Sequence, residues 1–211
     1  MKKRTFSILG DSISTFSGYN PTGNEIFYPH EGFDVLRVED TWWSIVADRL
    51  NLTLLFNESY SGSRISRTGV RPLSSCFVDE QRQQHLGGDF IIIFGGTNDW
   101  GQVEEPTTRE VFAEAYRNLV EVMGARHRAS TLYFCTPLQR TDRSLTAENI
   151  HHWTQLDLAQ TIRDIVGAYP FAHLIDLAAY PIEEGDGVLL DGLHPGSQGM
   201  QVLASLVEAG L

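Results

Sequence analysis

A chain of 211 residues with 42% hydrophobic content suits one compact domain, residues 1–211, around a single core. The formal net charge of -11, with no basic run beyond Met1-Lys2-Lys3-Arg4, excludes a nucleic-acid surface. Lysine occurs only at positions 2 and 3, so neither a Schiff-base lysine nor a P-loop is available within the fold, and pyridoxal and Walker chemistry drop out.

Along the chain, short apolar runs alternate with amphipathic ones. The first run, residues 4–9, reads as a buried strand and is followed by an irregular stretch, residues 14–39, rich in Gly, Pro, Asn and aromatic residues. Asp40 or Thr41 caps an expected helix carrying Trp42, Trp43, Val46 and Leu50, with the two tryptophans divided between core and surface. Strands follow at 53–56 and 89–94. Thr107 with Glu110 forms a capping box ahead of Val111, Phe112, Ala115, Leu119, Val122 and Met123, which share one helical face, with Gly124 near the far end. A strand at 131–136 contains Cys135, expected in the core. Thr146 is the expected start of a helix through Ile150, Trp153, Ile162 and Val166. After a strand at 173–177, a last helix begins at Pro195 and turns Met200, Leu203 and Leu206 inward. This alternation predicts an α/β fold, a three-layer α/β/α sandwich with a five-stranded, mainly parallel sheet.

Two cysteines, Cys76 and Cys135, allow at most one bridge and have no metal-ligand spacing around them. No His-Glu-x-x-His or Cys-x-x-Cys occurs, so neither metal nor cofactor is expected. The apolar stretch 6–9 is too short for a signal sequence and no run reaches membrane-spanning length, so the expectation is a cytoplasmic protein without a membrane partner. A homo-oligomer is left open.

Four words carry the chemistry: Gly10-Asp11-Ser12, Gly62, Gly96-Thr97-Asn98-Asp99 and Asp191-Gly192-Leu193-His194. The serine follows the first strand, which puts its hydroxyl at the carboxyl edge of the sheet, where open α/β sheets bind ligands. Asp191, three residues before His194, can reach the imidazole and fix its tautomer. Each word alone is an ordinary turn or cap; the four in this order resemble the signature of the SGNH hydrolases, the GDSL esterases and lipases. Ile13 stands where the family name has leucine. The resemblance runs from residue 10 to 195 and implies the family's flavodoxin-like strand order. It also implies a catalytic triad of Ser12, His194 and Asp191, with an oxyanion hole made by the Ser12 and Gly62 amides and the Asn98 side chain. Asp11 and Asp99 are expected to bind loop backbone rather than move protons. Gly-x-Ser-x-Gly is absent from the chain, which removes the α/β-hydrolase elbow, and no Gly-x-Gly-x-x-Gly marks a dinucleotide site.

Residues 14–39 hold Phe16, Tyr19, Phe27, Tyr28 and Phe33 among polar neighbours, a mixture that suits a sugar ring. Trp100, Tyr19 and Tyr28 are the expected substrate contacts. The leading expectation is a serine esterase removing a small acyl group, acetyl foremost, from a carbohydrate or similar small alcohol; the partner is then a small-molecule ester such as an acetylated sugar. A thioesterase or lysophospholipase of the same family is the alternative, and a non-catalytic carbohydrate-binding protein on this fold is a third reading.

Overall fold

The computed structural model describes residues 3–102 and 105–211; Met1 and Lys2 of the basic N-terminal run lie outside them. Five strands, β1 (Thr5–Gly10), β2 (Thr53–Ser59), β3 (Phe90–Phe94), β4 (Thr131–Cys135) and β5 (Ala172–Ile175), form one sheet in the order β2-β1-β3-β4-β5. All four pairings are parallel. The helices are α1 (Trp42–Arg49), α2 (Glu80–Gln83), α3 (Thr97–Gly101), α4 (Arg109–Arg126), α5 (Gln155–Gly167) and α6 (Ser197–Gly210).

Side chains on a strand alternate between faces, and the core divides accordingly. Phe6, Ile8, Phe90, Ile92, Phe94 and Cys135 pack with α1 and α6 on one side of the sheet. Leu9, Ile91, Ile93, Leu132 and Phe134 pack with α4 and α5 on the other. Because β3 has helices against both faces, all five residues of Phe-Ile-Ile-Ile-Phe are buried, as a central parallel strand requires. The two cysteines are free and buried.

Among the elements that differ from expectation are β2, α4 and α5. β2 runs three residues beyond Phe56, because Asn57, Glu58 and Ser59 pair with the carboxyl end of β1 and are buried there despite their polarity. Thr108, not Thr107, caps α4; the buried stripe is Phe112, Ala113, Tyr116, Leu119, Val120 and Met123, and Val111 is exposed. α5 begins at Gln155, where Thr154 and Asp157 form the capping box; His152 has φ +56°, which no helix carries, and Ile150 lies in solvent. Trp42 and Trp43 are both buried, because the loop 14–39 covers the side of α1 that a bare helix would expose. Trp42 Nε1 donates to Ser14 Oγ (3.2 Å) and Trp43 Nε1 to the Ser14 carbonyl (3.1 Å). These bonds anchor the start of that loop to α1.

Candidate active site

Strand order reverses between β1 and β3, so the chain leaves these neighbouring strands in opposite directions and opens a crevice at their carboxyl ends. Ser12 stands there in a short 3-10 turn, Ser12–Ser14, directly after β1. Gly10 makes the turn possible: a Cβ on it would come within 2.5 Å of Ser59 Oγ and 2.8 Å of Ser14 Cβ. The fourth word, Asp191-Gly192-Leu193-His194, lies on a loop ahead of α6. Its base is closed by the bond from the Leu190 amide to the His194 carbonyl (3.0 Å) and by the bridge between Leu189 and Pro195. Pro195 therefore belongs to this bridge, and α6 starts two residues later than expected. Gly192 has φ +78°, and a Cβ there would lie 2.6 Å from the Asp142 amide, so only glycine fits this turn.

These two loops bring together residues 182 positions apart. His194 Nε2 is 2.9 Å from Ser12 Oγ, and His194 Nδ1 is 2.8 Å from Asp191 Oδ2. The other Asp191 oxygen accepts the His194 amide at 2.6 Å and the Leu193 amide at 2.9 Å. Burial pushes this carboxyl up, but the bonds from the imidazole and the two amides outweigh it and hold Asp191 well below the usual carboxylate range. Asp191 thus stays ionised, which keeps the Nδ1 proton facing it and leaves Nε2 free to accept from the serine.

Gly62 has φ +78°, and the Arg71 guanidinium lies where a side chain would project, its Nε 2.8 Å from an ideal Cβ. The Gly62 carbonyl accepts from Gln102 Nε2 (2.8 Å), whose Oε1 in turn accepts from Arg64 Nε (2.8 Å). Asn98 is the second residue of α3, after β3, and its Nδ2 donates one hydrogen to the Ser63 carbonyl at 2.9 Å. The Gly62 and Asn98 loops are therefore bonded to each other as well as to the sheet.

The GDSL-like lipase/acylhydrolase family profile matches residues 4–210. The chain belongs to this family. A Bacteroides ovatus protein described as a GDSL-like lipase is 28% identical, with a TM-score of 0.74, over 99% of this chain and 98% of that one. A second, from Bacteroides uniformis, is also 28% identical, with a TM-score of 0.73, over 99% and 95%. A family two carbohydrate esterase from Clostridium thermocellum, solved with cellohexaose, shares the fold at 17% identity and a TM-score of 0.67, over 99% of this chain and 64% of that one. No curated protein matches the chain.

In this GDSL-like hydrolase the two aspartates beside the site residues bind backbone. Asp11 accepts the Ile13 amide (3.1 Å), and Asp99 accepts the Ile65 (2.8 Å) and Ser66 (3.1 Å) amides. Burial pushes Asp11 up to about 7 and Asp99 up to about 6. Among the described residues no group of three or more His, Cys, Asp or Glu is placed to hold a metal ion, and no helix is long and apolar enough to cross a membrane.

The expected substrate contacts need correction. Trp100 is fully buried: its Nε1 donates to the Trp153 carbonyl (2.8 Å), and Arg140 and Arg143 cover its ring. It presents no face to a ligand. Tyr28 is fully buried too, its hydroxyl donating to the Pro195 carbonyl at 2.7 Å. Tyr19 is half exposed but packs on Phe16 and Trp43, beside α1 rather than on the histidine. The rings that do meet His194 come from the same loop: Phe27, stacked at 3.7 Å between centroids, and Phe33, edge-on at 6.2 Å. Loop composition marks the segment as aromatic; only the path of its backbone decides which rings arrive.

Arg82 was not expected at all. Its buried guanidinium donates to the carbonyls of Gly10 (2.9 Å), Glu58 and Ser75, and pairs with the Glu58 carboxylate at 3.7 Å, tying the carboxyl ends of β1 and β2 together beneath the serine. Nothing in the local sequence of α2 distinguishes this arginine from the exposed ones.

Proposed function

We propose that this hydrolase is a serine esterase that removes a short acyl group, acetyl foremost, from a carbohydrate or similar small alcohol through an acyl-enzyme. The observation that carries the reading is the unbroken hydrogen-bond line from Ser12 Oγ through His194 to Asp191 at the sheet's reversal point. A serine hydroxyl needs a base to take its proton as it attacks, and an imidazole oriented by a carboxylate is that base.

In the proposed cycle, Ser12 Oγ bonds to the acyl carbon while its proton passes to His194 Nε2. The carbonyl oxygen becomes an oxyanion held by the Ser12 and Gly62 amides and by the second Nδ2 hydrogen of Asn98, the first being committed to Ser63. The imidazolium then returns its proton to the departing alcohol oxygen. Water, deprotonated by the same nitrogen, attacks the acyl-serine, releasing the acid and restoring the serine hydroxyl. The reaction as written draws on no metal, and chelator treatment should leave turnover unchanged.

Two features support a sugar as the alcohol. Half-buried Phe33 stands edge-on beside the base with polar, exposed neighbours around it, which offers an apolar surface within a hydrogen-bonding rim, while the faces of Phe27 are taken by His194 and His30. The carbohydrate esterase from Clostridium thermocellum, whose structure holds cellohexaose, has the same fold. The test is a chain-length series of nitrophenyl esters run beside a panel of acetylated sugars, with fluorophosphonate labelling of Ser12. Labelling at Ser12 and fastest turnover of acetyl esters support the reading. Preference for long-chain or thioester substrates would replace it with the lysophospholipase or thioesterase alternative, and failure to label would remove the serine mechanism.

A further inference from the structure

Three directions constrain the His194 ring. In its plane, Nδ1 faces Asp191 and Nε2 faces Ser12. Against its face lies the Phe27 ring, at 3.7 Å between centroids and 11° between planes. Phe27 is itself held from both partners of the reaction. Its amide donates to Thr15 Oγ1 (2.9 Å), and that hydroxyl donates to the Ser12 carbonyl (2.8 Å). On the other side it meets the ring of Tyr28, whose hydroxyl is bonded to Pro195, the residue after the histidine. The ring is thus placed by the same backbone that places the nucleophile and the base.

We propose that Phe27 is a positioning residue for the base, its ring face keeping the imidazole in the plane of Ser12 and Asp191 and stabilising the imidazolium that forms when Ser12 gives up its proton. This rests on the triad reading above. An aromatic face carries negative charge density, so it attracts a cation stacked on it more strongly than the neutral ring that precedes it. The attraction therefore grows as the serine proton moves to Nε2, and an interaction that strengthens along the reaction raises kcat rather than lowering KM. An aliphatic side chain of similar bulk would exclude water equally but would lack the face charge.

Other ionisable groups surround the ring. Asp191 bonds it directly, Asp11 lies under the serine turn, Asp34 caps Ser197 at the start of α6, and the Tyr28 hydroxyl is bonded to the Pro195 carbonyl. His30 stacks on the opposite face of Phe27 at 4.6 Å and 6°, so a charge there would compete for the same ring. The experiment is therefore made in a His30→Gln background. The His194 titration is followed by NMR in Ser12→Ala protein, and the pH profile of kcat/KM for nitrophenyl acetate is measured with Ser12 intact, in each case for Phe27, Phe27→Leu, Phe27→Met, Phe27→Tyr and Phe27→Trp. The aliphatic variants should lower the apparent pKa of the histidine by roughly half to one unit and kcat by about 3- to 30-fold with KM little changed, while Tyr and Trp retain both. Thermal unfolding of each variant separates loss of folding from loss of basicity, and Met provides a second aliphatic readout if Leu folds poorly. An unchanged histidine titration in Leu and Met, or equal losses in Tyr and Trp, overturns the proposal. If Ser12→Ala retains turnover, the triad reading fails instead, while the NMR titration still reports on Phe27.

Discussion

His194 bonds to Ser12 through one nitrogen and to Asp191 through the other, so in the proposed mechanism the three groups act as a unit. Ser12→Ala and His194→Ala should each lower kcat by about 10⁴-fold or more, and the double variant should be scarcely worse than either single one. Kinetics of the three proteins on nitrophenyl acetate check this; multiplied losses would mean that the residues serve separate steps. Asn98 is placed differently, with one amide hydrogen fixed on Ser63 and its orientation thereby set. Asn98→Ala should cost on the order of 10²- to 10³-fold in kcat with a much smaller change in KM, because the lost donor serves the oxyanion rather than the bound ester. A change confined to KM would remove it from the oxyanion hole.

At the scale of elements, α3 is short, and its position depends on what packs beneath it. Trp100 supplies that support, since its indole bonds to Trp153 and its carbonyl accepts from Asn149 Nδ2 at 3.1 Å. Trp100→Ala should destabilise the fold by about 3–5 kcal/mol in denaturant unfolding, the usual result of removing a buried aromatic side chain. It should also slow nitrophenyl acetate and acetylated sugar alike, because the displaced element carries Asn98. Loss on the sugar alone would return Trp100 to the substrate. The same scale shows where local patterns mislead. The apolar spacing that places a helix from Thr146 includes Trp153, yet that ring is buried from a loop, held by its Nε1 bond to the Thr107 carbonyl (2.9 Å). Helical periodicity reports that a residue is buried, not that a helix buries it.

For the whole molecule, the buried carboxyl under the serine turn has a consequence for stability. Burial pushes Asp11 up to about 7, against the opposing pull of the Ile13 amide and Arg82, whereas in the unfolded chain it titrates near 3.8. Between these values the folded protein holds a proton that the unfolded chain has released, so this group's contribution to stability falls as pH rises from about 4 to about 7 and is level above that. Asp11→Asn keeps an acceptor for the Ile13 amide and removes the titration. The thermal midpoint of Asp11→Asn relative to the parent protein should therefore climb across that window. A constant difference between the two would show that Asp11 does not titrate there. Asp191 acts in the opposite sense, since its carboxyl is held low and its contribution is lost only as the medium becomes more acid than the ordinary carboxylate range.

The sequence by itself determined the α/β class, the five strands and the four words that mark the family, because buried parallel strands are continuously apolar and the turns at Gly10, Gly62 and Gly192 admit no side chain. The apolar runs and the positive φ at Gly62 and Gly192 are local demands, whereas the tight fit of Gly10 against Ser59 and of Gly192 against Asp142 arises only in the folded chain. The sequence also put Ser12 and Asn98 at the carboxyl edge of the sheet, each directly after a strand. Only the tertiary structure decided which aromatic ring lies on His194, that Trp100 and Tyr28 are buried, and that Arg82 braces the serine turn from 70 residues away. Each of those depends on the course of a long loop or on contacts between segments distant in sequence. Such contacts are selected by shape, charge and hydrogen-bond satisfaction in the assembled core, which leaves no period or spacing along the chain to read.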